Sequence, residues 1–492
     1  MTTLVNEPSQ PLQIRLAVIG GGITGLSAAH RLIELAEGAG ARLRLSLFEK
    51  SHRPGGVFGS GVVGDYLIER GADSFITNKP AAINLCRRLG LEEELISTDP
   101  RFRRSLILFR GRPVPTPVGF NLLAPAQIRP MLTTPLLSWK GKIRLLQERF
   151  IPRRRSDEDE SLADFVRRRF GSEMLERIVQ PMVGGIYTSD PEKLSLKATL
   201  PRFLEMERRY GSLIKGMLKQ KQSSDSEGSE QNASGARYGL FVSLKKGMQQ
   251  LIDALEQRIS AYTFRRHGPE VTGIHKIDSG WQVTTTDGQL QEFDGVIVAL
   301  PAPIAARLMQ TVDADVARTL AGFEYASSAI VVSGHNLSDS RHPLDAFGLV
   351  IPHCERRRIL ATSFLSRKFP DRAPAGKVIL RTFVGGAMQP EEFEQSDEQM
   401  VQTVLSELNS IFGLGGVPDF VLVNRYPRGM PQFHVGHLDR VQQLEQQVES
   451  ISGLKLAGNY FRGVGLPDCV QSGEQAAEAL WEQCCSRGNI IP

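Results

Sequence analysis

The stretch Val18-Ile19-Gly20-Gly21-Gly22-Ile23-Thr24-Gly25-Leu26 decides how the chain begins to fold. Before it, Leu16–Ile19 is a short apolar run that reads as a buried strand, and after it the pattern predicts a helix from about Gly25 to Glu37. Gly20, Gly22 and Gly25 fit GxGxxG in that strand-to-helix context. The first glycine permits the tight turn, the second lets the backbone approach a pyrophosphate, and the third allows helix and strand to pack closely. Gly21, Ile23 and Thr24 complete the loop, and the helix N-terminus turns its partial positive charge toward the phosphates. A second strand is predicted over Leu43–Phe48, where Leu43, Leu45 and Leu47 alternate with Arg42, Arg44 and Ser46. Glu49 ends it, 24 residues after Gly25. An acid there accepts hydrogen bonds from ribose hydroxyls and disfavours a 2′-phosphate.

Outward from this βαβ opening, three segments read as pieces of one nucleotide-binding domain: 11–90, 240–310 and 448–492. The second holds a helix after Leu244–Gly247 and a buried-strand run, Gly295–Leu300; the third holds a strand, Leu454–Ala457, and a helix from about Gly473. Between the first two, residues 91–218 read as a helical block, with a start signal at Ser161 followed by Asp164. Residues 219–237, with QSSDSEGSEQNASG at Gln222–Gly235, read as a flexible linker or surface loop. The strands Ala329–Ser333, Gly348–Ile351 and Val378–Phe383 predict a mixed sheet in 311–447. The fold class is α/β with α+β parts: a Rossmann-like domain assembled from discontinuous segments, a mixed-sheet substrate domain and a helical, membrane-facing domain.

Composition narrows the function. The 492 residues are 41% hydrophobic and 23% charged, which excludes a wholly disordered chain. Lys+Arg at 59 against Asp+Glu at 54 leaves +5, too little for a nucleic-acid footprint. Five cysteines without CxxC or a Cys/His cluster argue against disulfides and against a metal site, and point to a reducing compartment. The opening MTTLVNEPSQ carries no secretory signal, and no apolar run reaches the roughly 20 residues a spanning helix needs. From Pro113 to Trp139 the only charge is Arg129, and six prolines rule out a spanning helix. This run is either a buried proline-rich loop or a surface that dips into one leaflet. In the second case Lys140, Lys142, Arg144 and Arg153–Arg155 meet anionic headgroups.

Two further stretches specify the dinucleotide. Glu49-Lys50-Ser51-His52-Arg53-Pro54-Gly55-Gly56 resembles the extended FAD signature of the flavin amine oxidase superfamily, and Leu456–Asp468 resembles its closing motif. Within that superfamily the chain resembles the oxygen-dependent, FAD-containing protoporphyrinogen oxidases. YLIERGADSF at Tyr66–Phe75, ERIVQPMVGGIY within Ser161–Pro191, LFVSLKKGMQQL at Leu240–Leu251, FPDRAP at Phe369–Pro374, Thr382–Gly386 and MPQFHVGH at Met430–His437 carry the likeness, in family order.

The resemblance implies non-covalent FAD contacted by Gly20–Gly25, Glu49, Lys50, Arg53, Gly56 and Val57. It also implies Gly71, Ala72, Asp73 and Ser74 near the isoalloxazine, Val271 beside the adenine, and Val464, Gly465 and Leu466 at the pyrimidine end. Arg104, Gly185, Val350, Ser363 and Phe383 become the expected substrate pocket, with Arg104 meeting a propionate. No protein general base and no metal is expected, because the flavin carries the hard step. The implied reaction converts protoporphyrinogen IX to protoporphyrin IX, removing six electrons in three flavin cycles with O2 as acceptor and H2O2 as product. The implied setting is the cytoplasm, at the inner face of the cell membrane, with the next haem-pathway enzyme as a partner. The enzymatic rival is coproporphyrinogen III oxidation to coproporphyrin. A non-catalytic binder of Rab GDP-dissociation-inhibitor type is disfavoured by the intact glycine loop and Glu49, and phytoene desaturases and amine oxidases by FPDRAP and MPQFHVGH. His434 and His437 read as structural, and Cys469, although in the closing motif, as a non-attaching residue.

Overall fold

The computed structural model describes residues 13–224 and 241–486. Strands are numbered along the chain as β1 (Gln13–Ile19), β2 (Arg42–Glu49), β3 (Ser105–Phe109), β4 (Arg112–Pro115), β5 (Thr263–His267) and β6 (Gly295–Val298). There follow β7 (Tyr325–Asn336), β8 (Gly348–Val350), β9 (Ala361–Phe364), β10 (Lys377–Gly385), β11 (Phe420–Pro431) and β12 (Leu454–Leu456). The helices used below are α1 (Ile23–Gly38), α2 (Trp139–Gln147), α3 (Leu162–Phe170), α4 (Gln180–Tyr187), α5 (His437–Glu449) and α6 (Leu466–Cys484).

One sheet is five-stranded, in the order β5-β2-β1-β6-β12, and every pairing in it is parallel. Leu16–Ile19 of β1 and all of β6 are buried and apolar on both faces because both faces are covered. Along β1, Ile14, Leu16 and Val18 enter a core shared with α1 and α6, while Ala17 and Ile19 enter a second core shared with the helix Ala302–Met309. The period of two that made these residues read as strand is thus divided between two cores. This sheet joins the three segments expected to be one domain.

The other large sheet has seven strands in the order β11-β7-β10-β9-β8-β3-β4, with β8 and β3 parallel and the rest antiparallel. It is the mixed sheet expected from residues 311–447, but it also takes in β3 and β4, from the stretch read as helical. The remainder of that stretch is mainly helix and loop, with short strands at Leu95–Ser97, Phe120–Asn121 and Ala124–Pro125. Ser161 caps α3, accepting from the Asp164 N–H at 3.0 Å. Residues 219–224, expected to open a linker, instead continue the helix Leu213–Ser224, and the rest of that stretch to residue 237 lies outside the described residues.

Of the two readings of the proline-rich run, the buried loop is the one found, and the leaflet-dipping one is corrected. In the Pro113–Trp139 run, Phe120, Leu123, Leu136 and Leu137 are buried and Leu122 is partly so. Prolines deny the run a continuous helix, so it folds back in short turns that press these side chains into a core with Phe165 and Phe170. The exposed apolar groups lie just beyond: Trp139, Ile143, Leu146 and Phe150 are 78%, 55%, 41% and 80% exposed. Nor is Arg144 free for headgroups; its guanidinium caps α3 by donating to the carbonyls of Arg167, Arg168 and Arg169. Among the described residues no helix is long and apolar enough to cross a membrane.

Candidate functional site

The glycine loop has the conformation its sequence requires. Gly20 sits at φ +109°, and a Cβ there would lie 2.4 Å from the Ala299 carbonyl oxygen. A Cβ on Gly25 would lie 1.8 Å from the Gly20 oxygen, so the third glycine is fixed by close packing. Gly22 is different. It occupies the N-cap of α1 in an extended conformation, and nothing lies within 4 Å of where its Cβ would be. Open space at the head of a helix whose N–H groups lack partners suits a phosphate. Glu49 stands beside the loop, accepting from the Gly21 N–H at 2.8 Å and from the Ser51 N–H and hydroxyl at 2.8 and 2.7 Å.

These residues border a cavity of about 560 Å³. Gly20, Gly22, Ile23, Thr24, Glu49, Lys50, Gly56 and Val57 line it, together with Gly71, Ala72, Ser74 and Val271. So do Val464, Gly465 and Leu466, at the first turn of α6. That helix starts seven residues earlier than expected, because Pro467 is well placed in a first turn. Gly185, at the end of α4, and Phe383, on β10, line the same cavity with Ile330, Tyr426 and Met430.

Other expected site residues stand behind the wall. Gly21 and Gly25 support the loop from within. Arg53 donates to the carbonyls of Phe58 and Gly56 and so pins the second glycine pair. Asp73 is buried between two cations, with Lys368 Nζ at 2.8 Å and Arg381 Nη1 at 2.7 Å. Burial alone would raise its pKa, yet Lys368 and Arg381 hold it well below the usual carboxylate range. Arg381 also donates to the Gly71 carbonyl and lies 5.7 Å over the Phe383 ring, tying the Gly71–Ser74 loop to β10. Glu69, four positions before Asp73, is also buried, and among the described residues it accepts from the Ser60 hydroxyl and the Met248 N–H without a direct ion pair. Burial pushes its carboxyl up to about 7.

Three expected pocket residues do not line the cavity. Arg104 is exposed and paired with Asp345, donating also to the Asp345 carbonyl at 2.9 Å. Ser363 lies on β9 opposite Gly348, its hydroxyl directed to the Phe347 carbonyl at 3.5 Å. Val350 backs the wall, its Cγ1 3.5 Å from where a Gly185 Cβ would be. Lys368 and Arg381 carried no signal in the sequence, because the acid they hold lies about 300 residues away. His437 stacks on Phe433 at 3.9 Å and contacts the Phe461 carbonyl at 2.9 Å, with burial pushing its imidazole down to about 4.

The site is thus a nucleotide cradle opening onto an apolar wall, and residues 23–481 match the family model for flavin-containing amine oxidoreductases. The chain belongs to that family, and FAD is its cofactor; the open cradle at Gly22 and the acid at Glu49 fit the group. The chain is 33% identical over 462 residues to the coproporphyrinogen III oxidase of Bacillus subtilis (strain 168), covering 94% of this chain and 96% of that one. It is 30% identical over 498 residues to the chloroplastic protoporphyrinogen oxidase of Oryza sativa subsp. japonica, covering 96% and 89%. A crystal structure from Exiguobacterium sp. 255-15, provisionally assigned as a protoporphyrinogen oxidase, superposes with a TM-score of 0.84 at 29% identity, covering 95% of this chain and 98% of that one.

Proposed function

We propose that this chain oxidises a porphyrinogen to the corresponding porphyrin, with dioxygen as acceptor. The observation that carries the reading is continuity: one cavity is lined both by the glycine loop with Glu49 and by the apolar wall of Gly185, Ile330, Phe383 and Met430. A porphyrinogen is a flexible, apolar tetrapyrrole and needs such a slot. Bound FAD supplies a two-electron acceptor. Gly20–Gly25 and the α1 N-terminus hold its pyrophosphate, Glu49 its ribose hydroxyls, and Val271 its adenine. Gly71, Ala72 and Ser74 would border the isoalloxazine, with Asp73 bracing them from behind, and Val464–Leu466 would face its pyrimidine end. Phe383 and Gly185 orient the tetrapyrrole, and no side chain acts as general base. Cys469 lines the cavity, but burial pushes its thiol up to about 12, which disfavours attachment through a thiolate and supports a non-covalent cofactor.

The wall contributed by the mixed sheet is apolar, which favours protoporphyrinogen IX with its two carboxylates. The names of the bacterial relatives at 32–33% identity favour coproporphyrinogen III, which has four. Incubating the flavin-loaded protein anaerobically with each substrate decides both points. The flavin absorbance should bleach, air should restore it, and three H2O2 should form per porphyrin, since six electrons leave. An oxidised flavin with both substrates sinks the reading.

The same proposal places the protein on an anionic membrane surface, by a face other than the one the proline-rich run suggested. Trp139, Ile143, Leu146 and Phe150 recur at intervals that put them on one side of α2 and the turn after it, flanked by Lys140, Lys142 and Arg149. Trp139→Ser with Phe150→Ser should reduce sedimentation with phosphatidylserine vesicles about tenfold or more, with flavin retained. Wild-type protein that never co-sediments at low salt rules this placement out.

A further inference from the structure

We infer that Arg428 is the cation that receives a carboxylate arm of the substrate, an inference that rests on the porphyrinogen reading above. A carboxylate brought against an apolar wall needs a positive partner. The charged residues lining the cavity are Glu49, Lys50 and Glu270, and they cluster together, with Lys50 facing Glu270 at 4.0 Å. Where the mixed sheet forms the wall, the lining holds no cation. Arg104 is taken by Asp345, and Arg381 and Lys368 by Asp73.

Arg428 is placed and built differently. The register between β7 and β11 passes from Ala326 opposite Met430 to Ser328 opposite Tyr426, so Pro427, Arg428 and Gly429 bulge against the single residue Ser327. Its neighbours Tyr426, Gly429 and Met430 all line the cavity. Bulges of this kind re-aim a side chain and gather beside active sites. The backbone of Arg428 is held at φ +48°, a left-handed conformation that costs a long side chain strain. The Ser327 hydroxyl, accepting from the Arg428 N–H at 2.9 Å, holds it there. Among the described residues its guanidinium is exposed and makes neither a hydrogen bond nor an ion pair. An uncommitted guanidinium on a bulge whose neighbouring residues line an apolar slot suits a propionate.

The test is steady-state oxidation of coproporphyrinogen III and protoporphyrinogen IX by the flavin-loaded protein. Arg428→Asn removes the charge and suits a left-handed backbone, while Arg428→Lys keeps the charge. Arg428→Asn should raise KM about fivefold, the worth of a solvent-exposed ion pair, and leave kcat within about twofold. It should also remove the rise of KM with added NaCl, and Arg428→Lys should hold KM within about twofold of wild type. A purely structural role would lower flavin content or kcat and would not be rescued by lysine. An unchanged KM in Arg428→Asn with both substrates, or no advantage of lysine over asparagine, overturns the assignment of Arg428 alone. Wild-type protein that oxidises neither porphyrinogen overturns the functional reading and this inference with it.

Discussion

The nucleotide cradle and the mixed-sheet wall border the same cavity, yet they are made in opposite ways. The cradle is nearly all backbone, drawn from a turn between β1 and α1 that spans Gly20 to Gly25, with one acid from the end of β2. The wall is nearly all side chain, drawn from strands such as β7, β10 and β11, and it is braced by ions behind it rather than in it. A backbone cradle tolerates no Cβ in the wrong place, whereas a side-chain wall tolerates changes of volume at graded cost.

The sharpest way to break this contrast is Gly22→Asp. Because a Cβ at this position meets no protein atom, the variant should fold. The added carboxylate meets the pyrophosphate, and flavin affinity should fall by about a hundredfold or more, read as flavin absorbance per protein. A normally flavinated variant would show that the phosphates lie elsewhere.

The next largest effect concerns the ions behind the wall. Glu69 titrates near 4.5 in an unfolded chain and is pushed up to about 7 in the native one. Between those values the native state holds a proton that the unfolded state has lost. The stability contributed by this carboxyl therefore falls as pH rises through the window and is gone above it. Glu69→Gln keeps an oxygen to accept from the Met248 N–H, turns an amide N–H toward the Ser60 hydroxyl oxygen, and does not ionise. Relative to wild type it should gain up to about 3 kcal/mol between pH 4.5 and 8, measured by urea unfolding of the holoprotein. A difference that stays constant with pH would place Glu69 in a wetter site than its burial indicates. Asp73 runs the other way: its paired, lowered pKa gives stability that is present above the usual carboxylate range and lost on acidification below it.

The smallest effect belongs to the wall itself. Phe383 is only half-buried, so Phe383→Ala should cost less stability than the roughly 3–5 kcal/mol of a fully enclosed ring. About tenfold should be lost from kcat/KM for porphyrin formation, with flavin content retained. Loss of flavin instead would mean that cradle and wall are one unit and would dissolve the comparison.

The cradle was legible in the sequence because its requirements are local. Which glycine turns, which packs and which stays open follows from φ and from neighbours a few residues away. Of the wall's strands β7 and β10 were legible, and so was the parallel sheet, because alternation and apolar runs report burial directly, whereas β11, half-exposed along its length, was not. The faces of individual side chains were not. Arg104 is the type of residue a propionate needs, but Asp345, 241 residues further on, already holds it. Leu123, Leu136 and Leu137 lie in a nearly charge-free run, yet proline geometry turns them inward and leaves Trp139 and Phe150 outside.

What the sequence determined by itself is therefore the glycine loop, the acid beside it at Glu49 and the order of the segments, since each rests on backbone conformation or short-range period. Only the tertiary structure decided which cations are neutralised and which remains available at the rim. Ion pairing depends on distances between strands that lie far apart in the chain, and the bulge that carries Arg428 exists only in the register of β7 with β11.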